Sequence, residues 1–187
     1  MSSTLNVAAI CESTTNLGPG NRFVIWVQGC CFNCHNCESP EWRPIVDANI
    51  VDPVLLAELI AEYQNIEGIT ISGGEPFLQA DALILLLENL RKQRNDLTVL
   101  IFTGYEYKDL ISESAKKLSA LADVVITGRY VEELNNNKGL RGSTNQEIIF
   151  ITERMKVHED YLYNRERTIE FHLRDSEILM VGIKPKE

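Results

Sequence analysis

The chain has 187 residues, 44% hydrophobic and 24% charged, the balance of a globular protein long enough to bury a core. Its net charge of −9, with basic residues only in short groups such as Arg91-Lys92 and Lys116-Lys117, argues against a nucleic-acid surface. The longest apolar stretch, near residues 83–87, is too short to cross a bilayer, and the start, MSSTLNVAAICEST, lacks the charged-then-apolar order of a secretory signal.

In chain order, residues 5–10 are strand-like and available to pair with strands near the C-terminus. Residues 22–28 (RFVIWVQ) form a nearly continuous apolar run ending at Gly29, which predicts a strand buried on both faces. Residues 53–63 (PVLLAELIAEY) have helical spacing, with Pro53 first and Asp52 as cap. Residues 68–72 (GITIS) predict a strand and 80–94 a helix whose last turn is basic. A strand at 97–102, a helix at 107–122 and a strand at 123–127 follow. This β-α rhythm predicts an α/β fold with a parallel sheet. Crossovers of one hand curl such a sheet into an open partial (β/α) barrel or leave it doubly wound. The partial barrel is expected here, in one domain spanning 1–187, with the cysteine loop after the first buried strand. After 135–139 (NNNKG), read as a loop, the rhythm breaks. A strand at 147–152 precedes segments 168–173 and 177–183, which bracket Arg174-Asp175-Ser176 as a C-terminal β-hairpin.

Four of the five cysteines fall between residues 30 and 37, in VQGCCFNCHNC. This favours a metal site in a reducing, cytoplasmic setting over a disulfide framework. Cys31, Cys34 and Cys37 read C-x2-C-x2-C; Cys30, Cys34 and Cys37 read C-x3-C-x2-C. A zinc knuckle is one reading, although structural zinc usually draws its ligand pairs from two separated knuckles. An iron–sulfur cluster is the stronger one. A ferredoxin-type run needs a later cysteine followed by proline, and no cysteine lies beyond Cys37. A [4Fe-4S] cluster held by this loop would thus have three thiolates and one open iron.

C-x3-C-x2-C directly after a buried strand resembles the signature of radical S-adenosylmethionine (SAM) enzymes. GPGNRFVIWVQGCCFNCHNCESPEW is similar to the start of the activating enzymes of glycyl-radical enzymes, above all the anaerobic ribonucleoside-triphosphate reductase activating proteins. ISGGEP (71–76), FTGYEYKDL (102–110) and DVVITGRYVEELNNNKGLRGSTNQEI (123–148) continue the likeness in order.

The resemblance implies that Cys30, after V-Q-G, binds the metal with Cys34 and Cys37, leaving Cys31 a passenger. It implies SAM on the open iron, its reductive cleavage to a 5′-deoxyadenosyl radical, and hydrogen abstraction from a glycine of a partner enzyme. A different peptide or small molecule is the alternative substrate, and a metal-binding assembly module the non-enzymatic alternative. The electron would come from a low-potential donor such as flavodoxin or ferredoxin.

By the same resemblance, Ser72, Gly73 and Gly74 line the methionine end of SAM, and Glu75 places a negative charge near its ammonium. Thr103 and Gly104 end a parallel strand where such sheets contact ligands. Arg141 and Asn145 offer polar contacts to SAM or substrate. Asn36 stands where many such loops hold an aromatic residue against the adenine. His35 is expected to face outward, and no chemistry is assigned to His158 or His172.

Overall fold

The computed structural model describes residues 4–174 and 177–185. Its main sheet contains β1 (Leu5–Thr14), β2 (Arg22–Val27), β3 (Asn49–Val51), β4 (Gly68–Gly73), β5 (Thr98–Phe102), β6 (Val124–Thr127) and β7 (Glu147–Phe150). They lie in the order β3-β1-β2-β4-β5-β6-β7. The four central strands, β2, β4, β5 and β6, run parallel. Antiparallel strands flank them: β1 on β2, β3 on β1, and β7 on β6. The fold is thus mixed α/β with a mostly parallel central sheet.

Strand β2 is buried at all six positions, and its side chains alternate between two apolar clusters. Phe23, Ile25 and Val27 join Ile69, Ile71, Val99, Ile101 and Val125 on one face. Helices α1 (Pro53–Glu62), α2 (Ala80–Gln93) and α3 (Glu113–Leu121) cover that face through Ile60, Leu83, Leu87 and Leu118. Val24, Trp26, Leu100 and Ile126 point the other way, onto Leu140, Met155, Leu162, Val181 and Ile183. Burying each such side chain is worth about 1.5–3 kcal/mol, so both faces hold the sheet.

The helix starts follow local chemistry. Asp52 Oδ1 accepts the Val54 amide at 2.7 Å, with Pro53 in the first turn. Arg91 and Lys92 sit in the last turn of α2. The expected helix over 107–122 is broken instead. A 3-10 turn spans Tyr107–Asp109, Leu110 drops into the protein, and Ser112 restarts the helix by accepting the Ala115 amide at 3.1 Å. Propensity pointed to one helix, and burial of Leu110 together with the serine cap divided it.

Strand β1 is longer than its sequence suggests and pairs with β2 and β3, not with the C-terminal strands. The short edge strand β3 is too brief and exposed to announce itself. Beyond β7, helix α4 (Glu159–Asn164) leads to the separate hairpin of β8 (Glu170–Arg174) and β9 (Glu177–Val181). The expected turn residues Asp175 and Ser176 lie outside the described residues. Among the described residues, no helix is long and apolar enough to cross a membrane.

At the amino ends of the parallel strands, Arg22 is fully buried. Its Nε donates to Thr70 Oγ1 at 2.7 Å, and Nη1 donates to Thr98 Oγ1 at 2.9 Å and to the Pro19 carbonyl at 3.1 Å. It joins the starts of β2, β4 and β5 at the end of the sheet opposite the cysteines. Burial pulls its pKa down to about 10.

Candidate functional site

The cysteine loop leaves the carboxyl end of β2 and is pinched shut at its base. The Gly29 amide donates to the Trp42 carbonyl at 2.9 Å, and the Cys30 amide donates to the Arg43 carbonyl at 3.0 Å. Trp42 packs beside Trp26 of β2, ring centroids 5.2 Å apart. The loop therefore closes on backbone hydrogen bonds and an aromatic contact of its own.

Two further loops dock on it. After β4, the Gly74 amide donates to the Val27 carbonyl and the Glu75 amide to the Gly29 carbonyl, both at 2.8 Å. A Cβ on Gly74 would lie 2.1 Å from the Gly29 carbonyl oxygen, so no larger residue fits. After β5, a Cβ on Gly104 would meet the Phe32 ring at 2.5 Å. The glycine requirement at both positions is set by the cysteine loop itself. Phe32, between Cys31 and Cys34, wedges against Tyr105 edge-on at 4.8 Å and lies under the Arg129 guanidinium at 4.7 Å.

Glu75 is 1% exposed and joins the second loop to the third. Its Oε1 accepts Thr103 Oγ1 at 2.8 Å and the Phe77 amide at 2.9 Å, and its Oε2 accepts the Gly104 amide at 2.8 Å. Burial pushes its pKa up to about 7, although these donors act in the opposite direction.

These loops enclose a cavity of about 960 Å³. Cys30, Cys34 and Cys37 line it. So do Ser72, Gly73, Gly74 and Glu75 from the second loop and Thr103 and Gly104 from the third. Burial pushes the Cys30 thiol up to about 11 and raises Cys37, against which the Arg43 charge works. Left alone, these two thiols stay protonated near neutrality, and binding a cation is what would make thiolates of them. No three His, Cys, Asp or Glu side chains among the described residues are placed to hold a single metal ion.

The remaining cysteines lie elsewhere. Cys31 is exposed, outside the cavity lining, with Sγ 3.4 Å from Tyr105 Oη. That contact, with burial, pushes the Tyr105 pKa up to about 12. Cys11 is buried in β1, 3.7 Å from His172 Nε2. His35 is exposed, as its position suggested.

Three other sequence candidates are not part of the cavity lining. Asn36 adopts φ +47° and donates to Glu132 Oε2 at 2.7 Å. Arg141 Nη1 donates to the carbonyls of Thr144 at 3.1 Å and Gln146 at 3.3 Å, with its guanidinium 4.7 Å from the Tyr163 ring centroid. Asn145 donates to the Arg129 carbonyl at 2.9 Å and borders a second hollow behind Phe32. Its neighbour Gln146 does line the main cavity, held by the Gly128 carbonyl at 2.7 Å. Sequence reasoning missed Arg43 and the wall built by Leu179, Met180, Ile183 and Lys184. No local motif marks that wall, because only the folding of the hairpin brings it there.

Residues 16–149 match the family described as the 4Fe-4S single cluster domain. The chain belongs to this family. It is 27% identical over 148 residues to the anaerobic ribonucleoside-triphosphate reductase-activating protein of Enterobacteria phage T4, covering 76% of this chain and 92% of that one. It is 26% identical over 140 residues to the protein of that name from Escherichia coli strain K12, covering 70% and 89%. It is also 29% identical over 143 residues to the pyruvate formate-lyase-activating enzyme of Streptococcus mutans, covering 71% of this chain but 53% of the relative. In a 4Fe-4S single cluster domain, a patch of thiols beside a roomy cavity suits a cluster with space for a second ligand.

Proposed function

We propose that this protein is a radical SAM enzyme that activates a glycyl-radical enzyme. The observation that carries this reading is the convergence of Cys30, Cys34 and Cys37 with the loops at 72–75 and 103–104 on one cavity, in a 4Fe-4S domain. The names of its relatives support the class of partner: reductase-activating and pyruvate formate-lyase-activating proteins.

Cys30, Cys34 and Cys37 would hold a [4Fe-4S] cluster. Cys11 and Cys31 stand away from the cavity lining, so three thiolates serve four irons and one iron is left for SAM. When bound together, the cluster and SAM supply reductive cleavage of the sulfonium and removal of a hydrogen atom. This chain's own residues position and exclude. Ser72, Gly73 and Gly74 present backbone to the methionine end of SAM. Glu75 adds negative charge behind them and fixes the third loop through Thr103 and Gly104. Phe32 and Trp42 keep water from the cluster loop. Asn36, Arg141 and Asn145, which also hold the neighbouring loops through protein partners, are read as further polar contacts to SAM or substrate.

The sheet is read as an open partial barrel, which the packing of α1, α2 and α3 on one face supports. Residues 1–187 are read as one domain. A low-potential donor such as flavodoxin or ferredoxin is the proposed reductant, and the cytoplasm the proposed setting for exposed and half-buried free thiols. A second reading keeps the chemistry but changes the substrate to another peptide or small molecule. It is favoured by the cavity wall at 178–184, which lies beyond the family match.

The test is anaerobic. Reduced, cluster-loaded protein mixed with SAM should release methionine and 5′-deoxyadenosine. Adding the glycyl-radical enzyme encoded in the same genome should give a glycyl doublet by EPR. Loss of SAM cleavage overturns the enzyme reading; cleavage without the doublet favours the second substrate reading.

A further inference from the structure

Strand β9 has a single neighbour. It pairs with β8 in a sheet of two strands, and its other edge has no backbone partner among the described residues. That edge meets the thiol cavity. Side chains alternate between the two faces of a strand, yet the consecutive residues Ile178, Leu179 and Met180 all line the cavity. No described residue of β8 does. A cavity bordered from both faces of β9, and by nothing of β8, abuts the rim of β9 that points away from β8. The chain leaving β9 stays at the cavity through Lys184, whose backbone amide lies against the Glu38 carboxylate, next to Cys37. The free edge therefore ends beside the cysteine loop.

Open strand edges are normally guarded by charge, by proline or by a covering element. Between Glu177 and Lys184 this one carries neither a charge nor a proline. The hairpin register sets Phe171 opposite Met180 and Leu173 opposite Ile178, which puts these four side chains on one face. Phe171, Leu173 and Ile178 are exposed there. A bare apolar face beside an unguarded edge is built to receive an incoming strand. The substrate already proposed suits that mode, because a glycine offers no side chain to grip and main-chain hydrogen bonds have to place it. We propose that the free edge of β9 pairs with an extended segment of the partner enzyme, the segment that carries the reacting glycine, and so lays its main chain along the thiol cavity. The proposal rests on the activating function above and names the surface of this chain that receives the partner.

Strand pairing leaves a signature of its own. Along the incoming segment, every second amide faces β9 and the intervening ones face away. A segment held only by side-chain pockets has no such alternation.

The experiment uses full-length, cluster-loaded protein with SAM and the glycyl-radical enzyme encoded in the same genome. Binding of that enzyme should slow amide hydrogen exchange at residues 178–181, read by mass spectrometry. A synthetic peptide of its glycine segment should compete for the site. N-methylation of alternate amides in the peptide should weaken competition about tenfold per site, the loss of one hydrogen bond, and methylation of the intervening amides should leave it nearly unchanged. Leu173→Ser, at an exposed position of the apolar face, should weaken binding of the whole enzyme. The exchange and peptide measurements use wild-type protein and stand whether or not that variant folds. A glycyl radical formed with unaltered exchange at 178–181, or a methylation pattern without alternation, overturns the edge proposal alone. Protection that grows with the concentration of this protein, without the partner, assigns the edge to a second copy and overturns it too. SAM cleavage with no binding of that enzyme overturns the activating function as well.

Discussion

Thr103 donates from Oγ1 to Glu75 at 2.8 Å, tying the end of β5 to the loop after β4 within a buried pocket. Two motifs that stand 28 residues apart in the chain are thereby fixed to one another. Thr103→Val removes the donor at nearly constant volume and should cost about 2 kcal/mol in denaturant unfolding of the cluster-free protein. Thr103→Ser should recover most of that. Equal stability of the two variants would show that the hydroxyl is idle.

Glu75 also makes stability depend on pH. Its folded pKa, about 7, stands above its ordinary value of 4.5. Below 4.5 the carboxyl is protonated in both folded and unfolded chains. Between 4.5 and 7 the folded protein holds a proton that the unfolded chain has released. Stability from this group is therefore greatest at low pH and is lost as pH rises through about 7, a total of about 3 kcal/mol. Urea melts across this window should slope downward, and the slope should flatten in Glu75→Gln.

The ligand set is open to a direct count. Cys30→Ala, Cys34→Ala and Cys37→Ala should each abolish iron retention after anaerobic reconstitution. Cys31→Ala should retain most of it, since Cys31 faces Tyr105 and not the cavity. A lethal Cys31→Ala with a tolerant Cys30→Ala would reverse the assignment.

Gly74→Ala places a methyl group 2.1 Å from the Gly29 carbonyl. The two loops must part, so the damage should reach both cluster and cosubstrate. Iron retention and SAM affinity should each drop at least tenfold, alongside a stability loss of about 2 kcal/mol. Loss of SAM affinity with full iron content would mean that the second loop moves without disturbing the first.

At the far end of the sheet, Arg22→Met should behave differently. It leaves the Pro19, Ile69 and Thr98 carbonyls and Thr98 Oγ1 without their guanidinium donor and should cost about 3 kcal/mol or more. The folded fraction should still bind iron at wild-type stoichiometry, because the cysteines lie beyond the opposite strand ends. Thermal melts read beside iron content separate the two effects.

Much of this arrangement is written locally. The uninterrupted apolar run of β2, the capped start of α1 and the β-branched β4 each declare themselves, and the two strands lead into loops at the cavity. Polar side chains are less readable. The amides of Asn36 and Asn145 and the guanidinium of Arg141 offer the same atoms to a ligand as to a nearby carbonyl or carboxylate, and here they take protein partners. Arg43 is the reverse case. Nothing around it in sequence sets it apart, and only the folding of the chain brings it to the cavity wall.

The hairpin has a practical consequence. Family likeness stops at residue 149, yet Leu179, Met180 and Ile183 stand against the thiol chamber. A fragment cut at the familiar boundary would keep every recognisable motif and lose one side of its reaction vessel. Anyone grafting this activity into another protein has to carry the tail with it.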